Sequence, residues 1–306
     1  YKYADLLMPS VEDWLTVLAK ERTVIHSMNC YSQPVPEASK WNTKKSEFFF
    51  RGYPDDSGID IINNRKLYLA VLALEEPFLN AKLLRRNNTG EILTIDTELN
   101  VATLPEFIST SVSQEGAGLL HQVPTSDLYC KESEMVSKED YHTFKYLIVC
   151  PNYAVSESVL FYFTTKSLVI RIKDKQTIWI DSYLKNFDFE QNLEVGGSTD
   201  DISKVNQANY IEVNVRELPV LMKWCEEHPK MCEKIADNGH ALYTELITKE
   251  LLMENMAVVF DSISKKSKLN LESISADSNQ EYIRVEHLIK TEYLPFFLFQ
   301  KKQGLT

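Results

Sequence analysis

Phe48-Phe49-Phe50-Arg51-Gly52-Tyr53 sets the architecture expected for this chain, and Asn63-Asn64-Arg65-Lys66-Leu67 follows a short way downstream. The aromatic run predicts a buried strand that passes directly into a cation and a glycine at the carboxyl edge of a sheet. Arg65 then opens the next predicted helix. A diphosphate fits such a place, because helix amides, the helix dipole and a guanidinium all favour an anion.

The same pattern, a strand running into a polar turn, recurs at Lys145-Tyr146-Leu147-Ile148-Val149-Cys150. Strands that alternate with helical periodicity predict an α/β protein with parallel sheets. Two such units predict two Rossmann-like domains that face each other across a cleft. The predicted strands are 47–51, 91–95, 145–150, 167–172, 177–180 and 210–213, and the predicted helices are 11–21, 66–74 and pieces of 218–262.

The polar and charged stretch 126–140 predicts a domain boundary. We therefore expect a first Rossmann-like domain over 46–138 and a second over 139–262. Residues 1–45 would form an N-terminal segment that contributes to the acceptor side. Residues 263–306 carry an aromatic run that is too apolar to stay in water, so this C-terminal segment should dock back on the body.

The overall charge argues against one class of partner. The 306 residues carry a net charge of −11, which repels phosphate backbones, and no lysine or arginine stripe with interleaved aromatics stands out. Nucleic-acid binding is therefore not expected. No apolar stretch approaches the roughly 20 residues that a membrane helix needs, so no membrane span is expected either.

Cysteine usage bears on the compartment. The five cysteines leave at least one without a partner and form no C-x-x-C pair. This usage fits a reducing compartment better than the secretory lumen. No charged-then-apolar leader opens the sequence, so we expect a cytoplasmic protein, with the ER or Golgi lumen as the alternative if a leader has been trimmed.

Four motifs occur in the order and approximate spacing of glycosyltransferase family 90. They are Phe-Arg-Gly after the first strand, Asn-Arg-Lys-Leu at the helix start, Lys-Tyr with an Ala-x-Ser turn, and the Ser-Leu-Val strand from Ser167. The sequence resembles this family, which holds the protein O-glucosyltransferases and the fungal capsule-associated xylosyltransferases, over roughly residues 1–260.

The resemblance implies a GT-B-like fold and an inverting glycosyltransferase. Such an enzyme moves a sugar, with xylose favoured and glucose next, from a UDP-sugar donor to a hydroxyl of a glycan or glycoprotein acceptor. In the family, the arginine at the position of Arg65 contacts the donor diphosphate. The candidate donor-binding residues are Arg51, Gly52, Tyr53, Asn64, Arg65, Ala154, Val155, Ser156, Ser158 and Lys166.

Several of these residues also have a structural explanation. Arg65 could be a solvated arginine on a helix face, Arg51 could pair with a nearby aspartate such as Asp55, and the serines could cap a helix. The sequence also departs from the family, because most members carry arginine at the position of Ser158 and glycine at that of Lys166. Either Lys166 or Arg171 compensates for the missing cation, or donor binding is weaker.

Tyr3-Ala4-Asp5-Leu6-Leu7-Met8-Pro9 resembles the Tyr-x-Asp-Ile-x-x-Pro segment in which the O-glucosyltransferases keep a catalytic aspartate. Inverting transfer needs a carboxylate that takes the proton of the acceptor hydroxyl. We therefore predict Asp5 as the base and Asp13, beside Trp14, as the reserve; a capping or solvated aspartate is the alternative for Asp5. Arginine and helix N-termini can meet the charge of the leaving UDP, so no metal or other cofactor is expected.

Two further functions stay open. Asp96 and Glu98 end an apolar strand and could hold Mn²⁺ or Mg²⁺, as in metal-dependent GT-A transferases. Loss of the family arginine at Ser158 instead favours a degenerate, non-catalytic transferase that binds a glycan or another partner. The sequence has no G-x-G-x-x-G, P-loop, H-E-x-x-H or G-x-S-x-G motif, and its six histidines lack metal-ligand spacing.

Overall fold

The computed structural model describes residues 9–20, 39–53, 64–84, 93–96, 120–123, 125–150, 159–174, 177–189 and 202–267. The strands of this part are β1 (Lys45–Gly52), β2 (Leu79–Leu83), β3 (Leu93–Asp96), β4 (Leu120–Val123), β5 (Phe144–Val149), β6 (Leu168–Ile172) and β7 (Ile211–Val213). Its α-helices are α1 (Val11–Lys20), α2 (Arg65–Leu72), α3 (Thr125–Leu128), α4 (Val159–Thr164), α5 (Leu218–Glu227), α6 (Pro229–Ala241) and α7 (Lys249–Ser267).

A five-stranded parallel sheet organises the fold, with the strand order β2-β1-β5-β6-β7. Strands β3 and β4 form a separate antiparallel pair. The predicted α/β class with a parallel, Rossmann-like sheet is confirmed. The chain moves outward in one direction from β1 to β2 and in the other direction from β5 to β7. The order therefore reverses between β1 and β5, and open α/β sheets bind ligands beyond the carboxyl ends of the strands at such a reversal.

The strands expected in two facing sheets are neighbours in one sheet. Phe48 of β1 pairs with Tyr146 of β5, and their rings stack with centroids 4.2 Å apart. This pairing joins residues on either side of the boundary predicted at 138, so these two units are not separate sheets across a cleft. A two-domain GT-B arrangement is not confirmed by the described residues, and the boundaries at 45, 138 and 262 stay predictions.

Aromatic alternation along β1 builds a core on both faces of the sheet. Phe48 and Phe50 belong to the cluster covered by α2, α5 and α6, whereas Phe49 belongs to the cluster covered by α1 and α4. All three phenylalanines are buried. Helices on opposite faces are expected on either side of the strand-order reversal, because parallel crossovers keep one handedness while the chain direction across the sheet changes.

One predicted strand differs from the structure, and one strand of the five-stranded sheet was not predicted. The strand predicted at 177–180 is instead a 3₁₀ helix, Trp179–Tyr183, because the Asp181 carboxylate accepts from the Ile178 amide at 2.8 Å and turns the chain. Strand β2 was not predicted, since Leu79-Asn80-Ala81-Lys82-Leu83 has weak strand propensity. Within the described residues, no helix has the length and apolarity needed to span a bilayer.

Candidate functional site

The carboxyl end of β1 lies at the strand-order reversal. Gly52 closes this strand, and a Cβ added there would lie only 2.7 Å from the ring tip of Phe50. A side chain at this position would therefore push against a buried ring. Tyr53 follows at the edge with 44% of its surface exposed. Gly52 is itself buried, so packing against Phe50 accounts for the glycine, and Tyr53 is the exposed residue at this edge.

The N-terminus of α2 lies at the same edge and is held firmly. Asn64 is the N-cap, and its side-chain oxygen accepts from the Leu67 amide at 3.0 Å. Every residue of the helix from Lys66 to Leu72 is buried. The helix start is therefore fixed in place, and its dipole favours negative charge there.

Arg65 is the first residue of α2 and bridges the reversal point. Its Nη1 lies 3.0 Å from Oδ2 of Asp174, which follows β6. Strand β5 lies between β1 and β6, so this ion pair joins the segments that follow the two neighbours of β5. The side chain of Asp174 is 6% exposed, and that of Arg65 is 27% exposed. The guanidinium is thus anchored on one side and open to solvent on the other.

Arg51 has a structural role. Its Nη1 donates to the carbonyl oxygens of Phe50 and Asn80 at 2.8 and 2.9 Å, and its Nη2 donates to Oδ1 of Asn80 at 2.8 Å. The guanidinium also lies over the ring of Phe49, 4.5 Å from its centroid. Arg51 is 6% exposed and fastens β1 to β2. This is the structural explanation that the sequence left open, with Asn80 as the partner; Asp55 lies outside the described residues.

Lys166 does not lie with the donor candidates that the structure describes at the carboxyl edge. It precedes β6 and therefore lies at the amino edge of the parallel sheet, whereas Gly52 and Arg65 lie at the carboxyl edge. A five-residue strand separates the two edges by about 17 Å. Its Nζ pairs with Oδ1 of Asp237 at 3.0 Å. Lys166 also has a φ of 57°, a left-handed conformation that suits glycine, which the resemblance implies at this position.

Arg171 lies at the correct edge to supply a cation. It pairs with Val149, the last residue of β5, and is 4% exposed. Its Nη1 lies 2.5 Å from Oδ1 of Asp181, and its Nε lies 4.0 Å from a carboxylate oxygen of Glu212. Two carboxylates therefore already balance its charge, and Arg65 is the more open of the two arginines.

Asp13, the reserve base, is a buried capping residue. Its Oδ2 accepts from the Ser10 amide at 2.7 Å and from the Ser10 hydroxyl at 2.9 Å. The same oxygen accepts from the indole Nε1 of Trp179 at 2.9 Å. Asp13 is 3% exposed. These contacts fix the start of α1 and leave little access for an acceptor hydroxyl.

Of the remaining predicted site residues, only Asp96 lies in the described part of the chain. Asp96 ends β3 and pairs with Leu120 in the antiparallel pair, away from the five-stranded sheet's ladder. No group of three or more metal-ligating side chains is found in the part of the chain that the structure describes. The residues that lie outside the described ranges are Asp5, Glu98, Ala154, Val155, Ser156 and Ser158.

Sequence reasoning missed two residues that the structure makes prominent. Asp174 follows the apolar strand β6 directly, and a polar residue after a parallel strand is the signal that could have placed it at the carboxyl edge. Lys44 precedes β1 and is buried with three oxygen partners. No local pattern marks a lysine that becomes buried through contacts with distant residues.

Sequence comparisons find no relative of this chain. No family model matches it, and no curated protein sequence matches it. The likeness to glycosyltransferase family 90 therefore rests on the four motifs. The geometry around Arg65 is an independent observation on the same residues.

Proposed function

We propose that this protein is an inverting glycosyltransferase. It would move a sugar, xylose in preference to glucose, from a UDP-sugar to a hydroxyl of a glycan or glycoprotein. One observation carries the proposal: Arg65 starts a rigidly capped helix at the same sheet edge as Gly52, at the reversal point of a parallel sheet, and its side chain is partly exposed. Nucleotide diphosphates bind at such edges because amides, dipole and cation act together.

In this proposal the leaving UDP is met by side chains and backbone. Arg65 and the amides at the start of α2 would balance the negative charge that develops on the diphosphate. The turn 154–158 would complete the donor site. Arg51 and Asn64 would stabilise the site indirectly, because Arg51 links β1 to β2 and Asn64 caps α2. A GT-B enzyme of this kind would use the described five-stranded sheet as its donor domain.

Donor binding is the first test. UDP at millimolar concentration should raise the melting temperature, because a ligand that binds only the folded state stabilises it. UDP-xylose and UDP-glucose should do the same. Uridine, which lacks the diphosphate, is the control and should have little effect. Failure of all three UDP compounds to raise the melting temperature would favour the degenerate, non-catalytic module, the alternative that serine at position 158 supports.

Asp5 is the proposed base, and its substitution separates chemistry from binding. Asp5→Asn should lower the transfer rate by about 10²–10⁴-fold, as expected for a lost general base, while UDP affinity is kept. Asp13→Asn is the matched control, because its carboxylate caps α1 and binds Trp179. That variant should lose some stability and keep most of its transfer rate per folded molecule. Near-normal transfer by Asp5→Asn would refute the assignment.

Metal dependence tests the remaining alternative. We expect transfer to continue in EDTA, because the cations proposed for the leaving group are side chains. Loss of transfer on chelation, with recovery on adding Mn²⁺, would move the proposal to a metal-dependent enzyme that uses Asp96 and Glu98.

A further inference from the structure

The ion pair between Arg65 and Asp174 has a feature that a simple structural pair lacks. A guanidinium carries five N–H donors in a planar fork, and the ion pair of Arg65 with Asp174 uses only Nη1. Asp174 binds this one corner at 3.0 Å and is 6% exposed, so the carboxylate is held within the protein. The rest of the fork keeps part of its surface in solvent. One corner of the arginine is therefore anchored while the others remain available to a second anion.

The chain positions of the two residues add to this argument. Arg65 belongs to the helix that follows β1, and Asp174 belongs to the loop that follows β6. A contact between them has to cross the carboxyl end of β5, which lies between β1 and β6. Without Asp174, the long arginine side chain would sample many rotamers above the start of α2. With Asp174, the guanidinium is held across the place where the diphosphate is proposed to bind.

We infer that Asp174 is a positioning residue for anion binding: its carboxylate holds the Arg65 guanidinium across the carboxyl end of β5 so that the remaining donors face a diphosphate. This inference rests on the proposed function, and it adds a residue to which neither the motifs nor the resemblance assigns a role. Asp174 does not touch the ligand in this arrangement. It acts by lowering the conformational entropy that Arg65 loses when an anion binds.

Ligand titration can distinguish this role from a competing one. Asp174 could instead occupy Arg65 in place of the ligand, and its removal would then tighten binding. Positioning predicts the opposite for Asp174→Ala, which leaves the guanidinium without its anchor. Asp174→Asn keeps an acceptor oxygen near Nη1 and removes the negative charge, so it should retain affinity within about threefold of the wild type if the hydrogen bond is what positions Arg65.

The experiment is calorimetric titration of each variant with UDP, alongside thermal unfolding. Asp174→Ala should weaken UDP binding about tenfold, whereas Asp174→Asn should keep most of the wild-type affinity. Asp174→Glu keeps the charge but lengthens the side chain by one methylene; it should displace the guanidinium and weaken binding several-fold, which keeps the test valid if the alanine variant fails to fold. Asp237→Ala is the matched control, because its carboxylate pairs with Lys166 over the same 3.0 Å at the opposite edge.

The outcomes separate the inference from the function on which it rests. If the wild type does not bind UDP, the proposed function fails and the inference fails with it. If the wild type binds UDP and Asp174→Ala binds it equally well or more tightly, only the positioning role is overturned. Equal losses in the alanine and asparagine variants would also overturn it, because the charge rather than the anchored geometry would then control affinity.

Discussion

The two edges of the five-stranded sheet both carry cations, and they hold them in different ways. At the amino edge, Nζ of Lys44 donates to the His142 carbonyl at 2.6 Å, the Thr165 carbonyl at 2.8 Å and the Ser167 hydroxyl at 3.0 Å. An ammonium has three donors, so this lysine is fully satisfied, and it is 5% exposed. At the carboxyl edge, Arg65 is bound at one corner and is 27% exposed.

The difference teaches which edge can take a ligand. Lys44 links the segment before β1 to residues near the starts of β5 and β6, so its N–H donors stabilise the amino edge and are not available to a ligand. Arg65 is held in position through Nη1, and its other N–H donors are available to a ligand. A lysine or arginine in a sequence motif is therefore evidence for ligand binding only when the fold leaves some of its N–H donors accessible to a ligand. In this chain that condition is met at the carboxyl edge, where parallel sheets bind their ligands.

Removal of Arg65 should have the largest effect on binding. Arg65→Ala should weaken UDP affinity by about 1.5–3 kcal/mol, the cost of a charge-assisted hydrogen bond, or roughly 10- to 100-fold. Lys166→Ala is the control at the opposite edge and should leave UDP affinity unchanged. Calorimetric titration of both variants checks this. An equal loss in the two variants would break the comparison, because it would mean that long-range charge controls binding.

Lys44 should make stability depend on pH. Burial, together with the charge of Lys166, lowers the pKa of Lys44 from 10.5 to about 8. The folded state therefore binds this proton less tightly than the unfolded state, and the cost of keeping Lys44 charged disappears as the pH rises from about 8 to 10.5. The free energy of unfolding of the wild type, relative to Lys44→Met, should rise by about 1–3 kcal/mol over that range.

Urea unfolding of both proteins at pH 7 and pH 10.5 measures this change, since titrations elsewhere in the chain largely cancel in the difference. The methionine variant should be less stable at each pH, because three oxygen atoms lose their donor. A relative stability that falls with pH would show that the amino edge needs the charged form of Lys44. Lys44 and Arg65 would then differ only in the sheet edge at which they lie.

Local pattern was enough to place most elements of the fold. The predicted strands 145–150 and 167–172 are confirmed as β5 and β6 to within a residue or so, and the predicted helix 11–21 is confirmed as α1. These elements have a strong apolar periodicity that needs no distant partner. The stacking of Phe48 on Tyr146 is different, because it joins residues far apart in the chain. No local pattern distinguishes one shared sheet from two.

The candidate site shows the same limit. The position of Arg65 at a helix start followed from its motif, and the structure confirms that α2 begins there. Lys166 was grouped with it as a cation that could compensate for the missing family arginine, yet the direction of β6 puts Lys166 at the other edge. The anchoring of Arg65 by Asp174 depends on a strand order that pairing between distant segments determines. Motifs therefore indicated candidate residues, whereas the strand order of the sheet determines which of these residues lie close together.

Lys166→Gly is the smallest expected effect and tests the amino edge by itself. A non-glycine residue at a φ of 57° costs about 1–2 kcal/mol, and glycine removes that strain. Two terms oppose the gain: glycine adds entropy to the unfolded chain, about 0.4–1 kcal/mol, and the ion pair with Asp237 is lost. That pair is exposed enough, at 38% and 43%, to contribute well under about 1 kcal/mol.

The net expectation for Lys166→Gly is a gain in unfolding free energy below about 1 kcal/mol at pH 7. Lys166→Ala keeps the strained backbone and loses the same ion pair, so it should be no more stable than the wild type. Urea unfolding of the three proteins decides the order. Because Lys166 also lowers the pKa of Lys44, the glycine variant should shift the pH-dependent rise in stability towards 10.5. A glycine variant less stable than the alanine variant would contradict the strain argument, and a change in UDP affinity would contradict the assignment of Lys166 to the structural edge.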